Sequence, residues 1–304
     1  MSDGGTGGSL RIEAPARVWD LTLRKRGRLL CGLLAGTRIA RWSCEDGKLL
    51  GDAAYQGPTL TAGAEAPEGD RLAVGTVEPA VRVLDAATLA PVATLQAPPS
   101  RCGDLAYSAD GAMLAGFFGR RRLELRVWAV ASGAQIASFT DVAQEPAGIA
   151  FRPGGRLAAV SLLTGDVLLL DLGASRLVRT LSDARMACEG IAFSDDGSAL
   201  IAASYDGTLL AWDTREWRVR RLEGIPGTRA LAVSPDGARA VVTRNSFNPP
   251  DTPAELRLVD LRSGRTEARR TAGIAGLSAV AFVESGQARV ALARGTSIEL
   301  LTLG

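Results

Sequence analysis

The stretch FSDDGSALIAASYDGTLLAWD, residues 193–213, sets two short apolar runs apart with Asp-Gly turns and ends at Trp212-Asp213. Runs of this length are too short for helices; bounded by Gly, Asp and Ser, they read as strands joined by tight turns. Whether the pattern is local or general decides the fold. Aligned on Gly197, the chain repeats it: RKRG ends at Gly27, APEG at Gly69, SADG at Gly111, RPGG at Gly155, SPDG at Gly237 and VESG at Gly286. With Gly197 in its place, successive spacings are 42, 42, 44, 42, 40 and 49 residues. A second marker is the end of the third run, at Trp42-Ser43, Leu84-Asp85, Trp128-Ala129, Leu170-Asp171, Trp212-Asp213, Val259-Asp260 and Leu301-Thr302. Its spacings are 42, 44, 42, 42, 47 and 42. Two independent markers give seven units.

Unit five shows the plan best: strand a at GIAF (190–193), strand b at SALIAAS (198–204), strand c at TLLAWD (208–213) and strand d at WRVRRLE (217–223). Four antiparallel strands in a repeat of this length describe one blade of a β-propeller. A blade cannot bury both faces alone, so each must pack on its neighbours around an axis. On these residues the chain resembles the WD-repeat family from about Leu10 to Gly304, weakly in unit two, where TLTAGAEAPEG makes a poor strand a. The family's Gly-His dipeptide is absent. Asp206 matches the aspartate of the family's buried hydrogen-bond network, without its histidine partner. The SPDG and VRVLDAATLAPVATL stretches also resemble the bacterial YVTN-type propellers, which share the fold.

The expected fold is therefore all-β, a single seven-bladed propeller of four-stranded antiparallel blades over residues 9–304, with residues 1–8 a flexible Gly-rich tail. Unit seven supplies strands a (280–282), b (287–293) and c (297–303) and no fourth. The spare strand is SLRIE (9–13), so Leu10 to Glu13 are expected to form the outer strand of the last blade and close the ring, as the resemblance implies.

Composition narrows the function. The 304 residues contain no histidine, which removes imidazole metal sites, histidine acid–base catalysis and every Ser-His-Asp or Cys-His arrangement. No catalytic residues, metal or cofactor are expected. Cys31, Cys44, Cys102 and Cys188 form no CxxC pair, and they read as buried, reduced thiols of a cytoplasmic protein. Cys102 and Cys188 fall in non-adjacent units, against a disulfide. A net charge of +2 argues against nucleic-acid binding. No secretory signal is visible in MSDGGTGGSLRIEAPARV, and no apolar run reaches membrane-helix length.

Three features are candidate partner sites. FFGRRR (117–122), in the b–c connection of unit three, puts Phe118 beside Arg120, Arg121 and Arg122; Phe117 reads as core. RNSFNPPDTPAE (244–255) lengthens the same connection of unit six and exposes Asn248 and Asp251, its prolines keeping it out of the sheet. The third is the rim eight residues before each turn glycine: Trp19, Thr61, Gly103, Ala147, Glu189, Arg229 and Ser278. In the WD-repeat family this end of strand a borders the central channel on the usual partner face. Trp19, Glu189 and Arg229 can anchor a partner there, or Trp19 can pack between blades. Trp42, Trp128 and Trp212 read as core. The expected function is a non-catalytic scaffold that binds protein partners on the face of the b–c and d–a connections. The alternatives are a ligand-binding or enzymatic channel and an RNA-binding propeller through FFGRRR.

Overall fold

The computed structural model describes residues 9–24, 28–35, 37–119, 123–142, 145–244, 254–272, 277–282 and 287–303. They form seven four-stranded antiparallel sheets and no helix. The inner strands a are Val18–Arg24, Leu60–Glu65, Cys102–Tyr107, Pro146–Phe151, Cys188–Phe193, Thr228–Val233 and Leu277–Phe282. Each touches the next, and the seventh touches the first, so the sheets form a closed ring.

Burial is greatest at strand b and falls away at the outer edge. Strand b of blade one, Leu29–Leu34, is buried at every position, whereas strand d of blade four, Arg176–Leu181, is exposed until its last residue. Strand b is covered on both faces by neighbouring blades, so it reads as an unbroken apolar run instead of an alternation. Each joint holds its own apolar layer. Phe117, Val127 and Phe139 of blade three meet Phe151, Val160 and Leu168 of blade four. Phe193, Leu200 and Trp212 of blade five meet Ala159 and Leu169 of blade four.

The turns explain both sequence markers. In the a–b turns of blades three, five and six, Ser108, Ser194 and Ser234 donate their hydroxyls to Asp110, Asp196 and Asp236, each at 2.6 Å. Each carboxylate also accepts the backbone N–H two residues on, and the glycine between them has φ between 67° and 70°. That left-handed backbone favours glycine. Blade four differs: Gly154, not the aligned Gly155, carries the positive φ of 64°. Proline and then glycine at the two central positions of RPGG suit a type II turn. The aspartate ending strand c caps the c–d turn: Asp85, Asp171 and Asp213 each accept two backbone N–H groups.

Two expectations of detail change. Leu60–Glu65 forms strand a of blade two, paired along its length with Arg71–Thr76, so the poor-strand reading of unit two is corrected. Strand d of blade five begins at Val219, because Trp217 lies in the c–d turn with φ 59°.

The ring closes as expected from the sequence. Ser9–Glu13 pairs antiparallel with Ser297–Leu303, from Ser9 opposite Leu301 to Glu13 opposite Ser297. Ile12 is buried in the layer joining blades seven and one, among Trp42, Ala293 and Ile298. The N–H groups of Ala14 and Val18 donate to the carbonyls of Thr296 and Gly295, carrying the chain into blade one. Removing residues 1–14 should lower the melting temperature markedly; an unchanged value would refute the clasp. Phe193→Ala should cost about 3–5 kcal/mol in urea unfolding, through lost apolar transfer and a residual cavity. A loss under about 1 kcal/mol would contradict its packing against blade four.

Candidate functional site

Strand order places the b–c and d–a connections at one end of every blade and the a–b and c–d turns at the other. At the first end, strand a carries a bulge in six blades. The register with strand b jumps from 18 to 20, 60 to 62, 102 to 104, 146 to 148, 188 to 190 and 228 to 230. The skipped residues are Trp19, Thr61, Gly103, Ala147, Glu189 and Arg229, the rim positions counted from the sequence. The seventh, Ser278, pairs regularly with Leu292. A bulge bends the strand and re-aims the extra side chain away from the ladder.

The candidates on this rim differ in what they can offer. Trp19 is half-buried; its indole N–H donates to the Leu34 carbonyl at 3.0 Å, and its ring lies against the layer between blades one and two. Glu189 is half-buried on strand a of blade five. Arg229 lies on strand a of blade six, but its side chain falls outside the described residues, as do Arg120, Arg121, Arg122, Asn248 and Asp251. Phe118 is corrected: it is 1% exposed and meets Trp128 edge-to-face at 6.0 Å between blades two and three. Phe117 is buried too, on the blade-four side. Successive residues of a strand face opposite ways, and strand b is covered on both, so both rings are core.

Other residues on this face escaped the sequence reading. Nine large apolar side chains are exposed among the described residues, and six of them sit on outer strands d. The other three, Val77, Leu163 and Met186 at 56%, 43% and 47% exposure, lie in b–c or d–a connections. None lies in a described a–b or c–d turn. The loops of Leu163 and Met186 are fastened together: a Cβ at Gly165 would stand 2.8 Å from the Met186 carbonyl, and the Cys188 thiol donates to the Gly165 carbonyl at 3.6 Å. Ser204 donates its hydroxyl to the Met186 carbonyl at 3.3 Å, tying in blade five. The available signal was Leu163 itself, a large apolar residue beside a Thr-Gly turn.

The opposite face holds a wide funnel of about 1280 Å³, lined by the a–b turns of blades two to four with Arg28, Glu65 and Asp195. Glu65 is fully buried, and Arg41 of blade one holds it with Nη2 2.8 Å from Oε1. The same guanidinium donates to the carbonyls of Gly69 and Ala86, bolting blade one to the turns of blade two. Arg152 does likewise between blades four and five, donating to the Gly197 carbonyl and the Thr214 hydroxyl, each at 3.1 Å. These charges are occupied by architecture.

Among the described residues, no group of three or more Cys, Asp or Glu is placed to hold a metal. The four cysteines form no disulfide and are buried. Burial pushes the Cys44 thiol up to about 11 and those of Cys102 and Cys188 up to about 12, which leaves negligible thiolate at neutral pH. Burial works against ionisation of Asp206, but hydrogen bonds from the Thr208 backbone and side chain and the Ser204 hydroxyl hold its carboxyl below the usual range. Trp212 donates its indole N–H to Asp183 at 2.8 Å. No described helix is long and apolar enough to cross a membrane.

Comparison with known proteins agrees with this architecture. The model of the family described as "WD domain, G-beta repeat" matches residues 175–213. An uncharacterized WD repeat-containing protein of Synechocystis sp. is 29% identical over 152 residues, 49% of this chain and 42% of that protein. WD repeat-containing protein VIP3 of Arabidopsis thaliana is 26% identical over 141 residues, 42% of this chain and 44% of its own length. A WD repeat-containing protein 55 homolog of Drosophila persimilis is 26% identical over 117 residues, 38% of this chain and 22% of its own. The matched stretches span less than half the length of each relative.

The Ser-x-Asp-Gly turns give a pH signature. Ser108 and then the Ala112 N–H lower the carboxyl pKa of Asp110; Ser194 and Ser198 act so on Asp196, and Ser234 and Ala238 on Asp236. A carboxylate whose folded pKa is depressed stabilises the fold above its unfolded value, near about 4, and loses that contribution as pH falls through the folded value. The triple variant Asp110→Asn, Asp196→Asn, Asp236→Asn should therefore lose less of its urea midpoint between pH 7 and pH 3 than the parent. An equal or larger loss would show that the turns do not set the acid limb.

Proposed function

We propose that this chain, a WD-repeat β-propeller, is a non-catalytic platform that docks a protein partner on the face bearing the b–c and d–a connections. The observation that carries the reading is the placement of Val77, Leu163 and Met186: the described connections expose large apolar side chains only at that end. An apolar patch with a polar rim is what a protein interface needs at its centre. Leu163 and Met186 stand on loops fastened to each other and to blade five, so little ordering is required on binding. The bulged rim of strand a borders the same face, with Trp19, Glu189 and Arg229 at its corners. Arg120, Arg121, Arg122, Asn248 and Asp251, expected from the sequence to add to this surface, lie outside the described residues. Four buried thiols that form no disulfide fit action in a reducing, cytoplasmic setting.

The funnel among the a–b turns supports a second reading, a ligand seat at the other mouth of the channel. One experiment separates them. The tagged chain is recovered from its native cells as the parent, as Leu163→Ser/Met186→Ser and as Glu68→Ser/Asp195→Ser in the funnel, after equal melting temperatures are verified. The Leu163/Met186 variant should lose its co-purifying proteins and the funnel variant should keep them. The reverse result would move the docking surface to the funnel face.

A further inference from the structure

We propose that the seam between the outer edges of blades five and six, at the end of the b–c and d–a connections, binds the carboxylates of an acidic polypeptide segment, a site distinct from the Leu163 and Met186 patch. Glu255, the second residue of strand c of blade six (Ala254–Asp260), has its side chain 3% exposed, and three arginines converge on it. Arg244 reaches it through Nη2 at 3.1 Å, Arg257 through Nε at 2.6 Å and Arg269 through Nε at 2.8 Å. Burial alone would raise the carboxyl pKa of Glu255; the Arg257 hydrogen bond and the three positive charges hold it below the ordinary value, so it stays ionised.

One buried negative charge thus organises three positive ones. Arg257 and Arg269 are also directly opposed across strands c and d, a like-charge pairing that costs stability unless an anion lies between them. Glu255 supplies that anion from beneath. Above, the balance is incomplete. Arg269 spends its Nε on Glu255 and is 61% exposed, which directs the rest of its fork to solvent. Among the described residues, the remaining carboxylate in the seam is Glu223, at the end of strand d of blade five, with Oε1 3.2 Å from Nη1 of Arg257 on a side chain 84% exposed.

Glu223 identifies the ligand chemistry. It is a carboxylate, it already fits against Arg257, and an ion pair that exposed contributes little and exchanges readily. A carboxylate from another chain can take its place and use the open fork of Arg269 as well, in the two-point geometry that guanidinium groups favour. The second wall of the seam is fixed: Arg220 of blade five donates to the carbonyls of Leu261 and Arg262 in the c–d turn of blade six, holding the two outer edges together.

The test uses the purified full chain and a fluorescently labelled oligoglutamate peptide, read by anisotropy, with inorganic phosphate as competitor. The peptide should bind saturably and more weakly as salt is raised. Arg269→Gln should weaken binding about tenfold, and the charge-matched Arg215→Gln, at an exposed c–d turn, by less than about twofold. Glu223→Gln, which removes the resident competitor, should tighten binding more than Glu216→Gln, which changes net charge equally. All four side chains are exposed, and melting curves verify the folds. Absence of binding, or matched variants that behave alike, overturns the site. Displacement of the peptide by inorganic phosphate at low concentration overturns its assignment to carboxylates. Because the peptide is added directly, the result does not depend on which face the native partner uses.

Discussion

Each blade is a sheet with two apolar faces, and it becomes stable only when both are covered. In an open row of seven, the two end blades would each leave one face in water. The pairing of Ser9–Glu13 with Ser297–Leu303 removes that defect, because it forces the seventh blade against the first and places Ile12 in the layer they share. Every other joint depends on this one, since blades in a ring brace each other only if the ring is shut. The short strand from the start of the chain therefore acts over the whole circumference.

Polar fastenings reinforce the apolar layers where the blades diverge toward the outside. Arg41, Arg152 and Arg220 each reach from one blade to backbone carbonyls in the turns of the next. Arg289 does the same across the closing joint, donating to the Cys44 carbonyl of blade one. A guanidinium suits this work: it stays charged at any physiological pH and offers several donors in a fixed plane.

The seven repeats and the four strands of each were legible because they rest on short-range chemistry, and the closing strand because unit seven supplies only three strands of its own. Ser-x-Asp-Gly specifies a turn through two side-chain hydrogen bonds and one left-handed residue, and it does so wherever it occurs. The rim was legible for a related reason: the bulge lies at a constant distance from that turn. What depended on neighbours was not legible. Phe118 reads as an exposed aromatic until blade two is known to cover the second face of its strand. Leu163 and Met186 lie 23 residues apart in the chain, and only the crossing of their loops at Gly165 makes them one patch. The trio around Glu255 likewise draws on three strands whose residues carry no shared motif.

The bulge has a further consequence. At six positions around the channel mouth the chain holds one residue that the sheet does not count: it faces no cross-strand partner and its side chain is not required by the ladder. Across the six, Trp, Thr, Gly, Ala, Glu and Arg all occur on nearly the same backbone. Trp19 also packs on an inter-blade layer and donates to the Leu34 carbonyl. The ring works as a keyboard whose frame is fixed: the ladder sets where these side chains stand and leaves open which they are.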